Sequence, residues 1–290
     1  MHIRLQRVNY TTCKNLITQA RHFFGVSFFT TTTRNLDTVL LMSIQGPAAV
    51  GIYAAAAKLL RTMAYFSKAF SDAIYPVLSK QAALKDQTAL AETYQESLRW
   101  LTIAVVPFVA FAMVQSESVM RILYGSGFVD ASVVFQIFAW RTALGFLTQF
   151  YGTTLFALEQ QATVFKAAAV STVASVFLYI VLIPSYSYTG AAFAVLVTLI
   201  IEFVPQFLAV NQRLKSGLSI AIIFKPIAAG IGMGFFCAYS DFIPLFLLAG
   251  LALLLYAGCL IVLGAISREE LAMLFRFLIS LLQRRTVREA

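Results

Sequence analysis

The chain has 290 residues, of which 60% are hydrophobic and 12% charged, and its mean hydropathy is +0.80. Soluble domains carry about 25% charged residues, and apolar stretches of about 18 or more recur along this chain, which excludes a water-soluble fold and marks membrane spans. The net charge of +9 is spread through short polar gaps, a pattern that suits the cytoplasmic face of a membrane and excludes a groove for nucleic acid.

Residues 1–22 are polar and basic and lack the apolar stretch and small-residue cleavage site of a signal peptide. They read as a cytoplasmic or interfacial segment. The first span is expected at about 23–43, with Thr30 to Thr33, Arg34, Asn35 and Asp37 near its middle. Gln45-Gly46-Pro47 then turns the chain into a second span, about 50–75, which carries Lys58, Arg61, Lys68 and Asp72 and has Pro76 at its end. A polar, amphipathic segment is expected over 79–96 and a third span over about 98–114. The gap 115–130 contains Tyr124-Gly125-Ser126-Gly127. A fourth span, about 131–157, contains Arg141, and a fifth, about 162–183, stops at Pro184. The sixth opens at Gly190, runs to about 210 and holds Glu202. The seventh and eighth are expected at about 220–239 and 242–266, followed by an amphipathic tail, 268–290, with Leu271, Leu274, Phe275, Leu278 and Leu282 on one side.

The placement of Lys and Arg orients these spans. Arg4, Arg7, Lys14 and Arg21 precede the first span, and alternate gaps hold Lys80 and Lys85, Lys166, Arg213 and Lys215, then Arg268, Arg276, Arg284, Arg285 and Arg288. The intervening gaps hold only Arg121. The alternation puts both termini in the cytoplasm and favours an even number of spans, about eight.

An ionisable side chain at bilayer depth costs about 2.5–3.5 kcal/mol on insertion scales, so it faces a bundle interior or a wet cavity. Arg34 and Asp37, and Lys68 and Asp72, have the spacing of local helical pairs. At 100° per residue, Lys58, Arg61, Lys68 and Asp72 fall within about a third of one helix's circumference. That stripe lines a cavity of net positive charge, whose complement is an anionic group. Snorkelling of Lys58, Arg61 and Lys68 to the surface is the competing reading. Arg34 and Asp37 fit a clamp between helices equally well. Arg141, with Gln149 and Tyr151 beyond it, and Glu202 each fit either a bundle lock or a wet pathway.

The many phenylalanines read as packing or lipid-facing residues, and Gly230, Gly232 and Gly234 suggest close helix approach. Cys13, Cys237 and Cys259, with His2 and His22, form no metal, disulfide or nucleophile pattern. Gly125 and Gly127 lack the context of a nucleotide loop. No residue set supports an enzyme or calls for a cofactor.

Three stretches resemble the multidrug/oligosaccharidyl-lipid/polysaccharide exporter superfamily, in particular its Wzx-type polysaccharide and O-antigen flippases. They are Arg34 to Leu41 continuing through Gly46 to Tyr53 and Ala56 to Leu59; Ile74-Tyr75-Pro76-Val77-Leu78-Ser79; and Ile122 to Phe128 joined to Ala131. Tyr188 to Ala194 is a weaker echo. The order and spacing cover about the first 215 residues. The resemblance implies an all-α integral membrane protein with two lobes of about six helices around an alternating cavity. This chain would supply the second lobe (23–215), two additional helices (216–267) and the cytoplasmic tail. Its start would make it a fragment, a split gene product or the partner of a chain supplying the first lobe.

The implied function is to flip an undecaprenyl-diphosphate-linked glycan across the bacterial inner membrane for lipopolysaccharide or exopolysaccharide synthesis. Polysaccharide polymerases or glycosyltransferases and membrane lipid would be its neighbours. Lys58 and Arg61, then Arg34 and Arg141, are the candidates for the diphosphate, and Asp37 or Glu202 for a coupling ion. A cation-coupled drug exporter of the same superfamily fits a positive cavity poorly. A non-transporting scaffold for polysaccharide assembly is the rival from another class.

Overall fold

Asn35 precedes a run of apolar residues broken by few strong helix breakers, and helix follows almost without interruption. The computed structural model describes residues 35–214, 220–240, 243–266 and 270. Its helices are α1 (Leu36–Ala83), α2 (Gln87–Tyr124), α3 (Ala131–Ala157), α4 (Gln161–Leu214), α5 (Ile220–Ala238) and α6 (Leu245–Val262), with a 3-10 turn at Ser126–Phe128 between α2 and α3.

At 1.5 Å per residue the 48 residues of α1 and the 54 of α4 would each exceed twice a hydrocarbon core of about 30 Å. Each therefore folds back at one non-helical residue. In α1 that residue is Gly46, at φ 80 and ψ −176, followed by Pro47. The positive φ suits glycine, and proline opens a new helix without needing its missing N–H. In α4 it is Ser187, at φ 50 and ψ −132. Gly190 makes that second reversal possible, since a Cβ there would overlap the Leu182 carbonyl. The two reversals touch: Gln45 Nε2 donates to the carbonyl of Ile183 at 3.2 Å.

α1 runs on through Ala83, and the chain turns at Leu84–Asp86, with Lys85 at φ 55. Asp86 accepts from Ala89 N at 3.0 Å and starts α2. The expected amphipathic segment over 79–96 is thus the end of one helix and the start of the next, because an N-cap aspartate outranks its periodicity. Likewise Pro184 does not end the fifth span, since the helix continues to Ser187. α3 has the bounds expected for the fourth span. Buried hydroxyls along these helices donate to the carbonyl four residues back, as Thr102, Thr142 and Thr154 do at 2.8–2.9 Å. The amphipathic tail and the first span up to Arg34 lie outside the described residues, Glu270 excepted.

α3 is the central helix, packed against α1, α2 and α4. One core fills the end of the bundle with the Gly46 and Ser187 reversals, from Leu41, Tyr53, Phe135, Phe138 and Ile183. Another fills the opposite end, from Leu78, Tyr94, Phe150, Tyr151 and Leu214. α5 and α6 build a third core around Met233, Leu248 and Tyr256, resting on Trp100, Ile103 and Val106 of α2. Of the three clustered glycines, Gly230 makes the close approach, where a Cβ would overlap Val106. Gly234 is in ordinary contact with Val114 at 3.8 Å, and Gly232 faces open space.

Candidate functional site

α1 beyond Pro47 buries Ala49, Tyr53, Ala56 and Leu60, then Ser67, Ser71 and Leu78. The face left exposed carries Lys58, Arg61, Tyr65, Lys68 and Asp72, which helical geometry confines to about 80° of arc and about 21 Å of axis. Counting along the helix from Pro47, Lys58 and Arg61 lie about 16 and 21 Å beyond the turn. For a hydrocarbon core of about 30 Å beginning at that turn, Lys58 falls near the middle and Arg61 about 9 Å from the far side. Lys68 Nζ meets Asp72 at 2.6 Å, as the spacing predicted, with both side chains more than 60% exposed. Lys58 and Arg61 have no carboxylate within 4 Å among the described residues.

Asp37 belongs to a different constellation. Its carboxylate accepts from the Tyr53 hydroxyl and from the Thr38 amide at 2.7 Å. Tyr179 of α4 lies within electrostatic reach of both Asp37 and Arg141 of α3. Arg141 caps the Phe138 ring, its guanidinium 5.8 Å from the centroid, and that ring meets Tyr53 edge-on at 5.1 Å. Folding back at Gly46 makes this cluster, since Asp37 and Tyr53 would stand about 24 Å apart on a straight helix. Arg34 lies outside the described residues, so its pairing with Asp37 does too.

The structure therefore separates the expected site residues into three groups. Lys58 and Arg61 share the exposed stripe. Asp37 and Arg141 share the cluster next to the Gly46 reversal. Glu202 stands apart, near Ser171 of the other arm of α4, whose hydroxyl donates to the Ala168 carbonyl at 3.0 Å. Tyr53 and Tyr179 are members that the sequence reading missed. Their signal was available, because a tyrosine buried in mid-span needs a partner for its hydroxyl.

A second polar group fastens α6 to α2. Arg99 pairs with Glu96 at 2.6 Å and with Glu270, and reaches the Ala265 carbonyl at 3.4 Å. Lys225 of α5 donates to the Gly264 carbonyl at 3.0 Å. Arg99, Lys225, Gly264 and Ala265 border a cavity of about 170 Å³.

Bent helices around a central helix, five of the described helices being long and apolar enough to cross a membrane, define a helical multi-pass membrane protein. Residues 2–133 match the family model described as polysaccharide biosynthesis protein. Over 206 residues the chain is 26% identical to a probable low-salt glycan biosynthesis flippase, Agl15, of Haloferax volcanii; the match covers 69% of this chain and 43% of that protein. The chain thus spans less than half the length of this curated relative. In fold it is similar to the lipid II flippase MurJ in its inward closed conformation, with a TM-score of 0.64 at 16% identity, over 94% of this chain and 57% of that one. The chain resembles the polysaccharide flippases of the exporter superfamily, and the resemblance read from its sequence is borne out.

Proposed function

We propose that this chain forms one lobe of a flippase that carries a lipid-diphosphate-linked oligosaccharide from the cytoplasmic to the outer leaflet. The observation that carries the reading is the exposed pair Lys58 and Arg61 within the apolar helix α1, without a carboxylate partner among the described residues. Two such charges facing lipid would cost about 5–7 kcal/mol on insertion scales. Facing a wet cavity they supply a diphosphate with opposite charge and donors.

Asp37, held by Tyr53 near Arg141, is the coupling candidate in this reading, and rocking of this lobe against another exposes the stripe to each side in turn. A positive stripe is the wrong complement for cationic drugs. By the alternation of basic residues, Ala83 and the start of α2 lie at the cytoplasmic end. Polymerases or glycosyltransferases of the same glycan would work beside it.

The test is a leaflet-translocation assay of a fluorescent lipid-diphosphate oligosaccharide in vesicles bearing the complete transporter. The double variant Lys58→Ala with Arg61→Ala is expected to insert normally and to lose translocation. Wild-type rates in that variant would overturn the assignment, and a chain that never supports translocation would favour the scaffold.

A further inference from the structure

The charged stripe of α1 contains one residue that no charge argument uses. Tyr65 is 75% exposed and falls, by its rotation about the axis, between Lys58 and Arg61, about 6 Å beyond Arg61 toward Ala83. Its neighbour Phe66 is also exposed, but that ring stacks on Phe146 at a centroid distance of 6.2 Å. Tyr65 has no ring partner among the described residues. Tyr65 lies within the arc of Lys58 and Arg61, so where those two cations face water the Tyr65 ring stands in the same wet space.

We propose that Tyr65 is a stacking platform for the first sugar ring of the lipid-linked substrate, and thereby the residue on α1 that distinguishes a glycosylated lipid diphosphate from a bare one. The inference rests on the reading of Lys58 and Arg61 as the diphosphate site. A pyranose presents a face of C–H bonds with positive edges, which complements the negative face of a phenol ring, and its hydroxyls point outward around that face. One helical turn from a phosphate held at Arg61 is the distance at which a directly linked sugar lies. One to two turns further on, the exposed pair of Lys68 and Asp72 supplies a donor and an acceptor for hydroxyls. The stripe thus reads, in order, two cations, an aromatic face and a mixed donor and acceptor pair. That order matches a diphosphate, a ring and its hydroxyls.

Binding to the complete protein in nanodiscs tests this with two probes: a polyprenyl diphosphate, and the same lipid carrying one N-acetylhexosamine. Wild type is expected to bind the glycosylated lipid about three- to tenfold more tightly, the range of an aromatic contact. Tyr65→Ala should bring the two affinities together without weakening the bare lipid. Tyr65→Phe should keep the preference, because stacking needs the ring and not the hydroxyl, and Tyr75→Ala, further along the same helix, should change neither. Wild type that binds both lipids equally, or Tyr65→Ala that keeps the preference, overturns the proposal while leaving the diphosphate site standing. Failure of the underlying reading looks different: wild type and Lys58→Ala with Arg61→Ala would then bind the bare lipid alike.

Discussion

α1 and α4 are the two helices that fold back on themselves, and each leaves one long face uncovered. On α1 the exposed positions Lys58, Arg61, Tyr65, Lys68 and Asp72 recur every three or four residues and are polar. On α4 the exposed positions Val170, Val173, Phe177 and Ile180 recur at the same spacing and are apolar, between 57% and 71% exposed. Two faces of equal geometry and opposite chemistry suit opposite solvents. The α4 face suits acyl chains, and the α1 face suits water and an anionic ligand, so exposure in a membrane protein acquires meaning only with the chemistry of what is exposed.

The strongest way to break this contrast is to exchange the chemistries. Val173→Lys puts a charge on the α4 face about 18 Å into its first arm, at an insertion cost of about 2.5–3.5 kcal/mol. Most of that variant should fail to reach the membrane fraction. Lys58→Leu should insert as well as wild type or better, and lose only translocation. Equal insertion of both variants would show that the two faces share one solvent.

A smaller effect is expected where packing holds the faces in place. Gly230→Val drives a side chain into Val106 and should lower stability by about 1–3 kcal/mol. Gly232→Val meets nothing within 4 Å and should stay within about 0.5 kcal/mol of wild type. Thermal unfolding in detergent separates them. Tyr53→Phe falls in the same range, because it removes the hydroxyl that holds a part-buried carboxylate, at about 1–3 kcal/mol. It leaves the ring contact with Phe138 intact, so a loss of coupling without loss of fold would point to Asp37 itself.

What was legible in the sequence follows from how many helices each feature needs. The arc of Lys58, Arg61, Lys68 and Asp72 depends on one helix and its 100° period, so it could be read directly and the Lys68–Asp72 pair named. The bounds of α3 were legible because Asp130 and Glu159 flank its apolar run. Gly46-Pro47 announced its reversal by composition. The second reversal was legible as well, since the loop 185–189 was expected before a span opening at Gly190 and Ser187 lies inside it; only the end of the fifth span at Pro184 was set too early, because a proline removes a single donor and a helix tolerates it within the membrane. The cluster of Asp37, Tyr53, Tyr179 and Arg141 joins α1, α3 and α4, and no local spacing encodes an encounter between three helices. The long-range contacts of Arg99 and Lys225 escaped notice for the same reason, the Ala265 and Gly264 carbonyls lying 166 and 39 residues away along the chain, although Glu96 is a local partner of Arg99.

The smallest expected effect is also the finest probe of the contrast. Lys68 and Asp72 form an exposed ion pair at 2.6 Å, and a double-mutant cycle with Lys68→Gln and Asp72→Asn measures their coupling. In a water-filled cavity the pair is screened, and the coupling should be about 0.2–1 kcal/mol, falling further as salt is raised. Against acyl chains the same two charges would interact through a low dielectric, and neither single variant would be tolerated without the other. Additive single variants that respond to salt therefore place the Lys68 end of the α1 face in water. A strongly coupled pair indifferent to salt would place it in lipid and remove the physical reason for assigning Lys58, Arg61 and Tyr65 to a substrate at all.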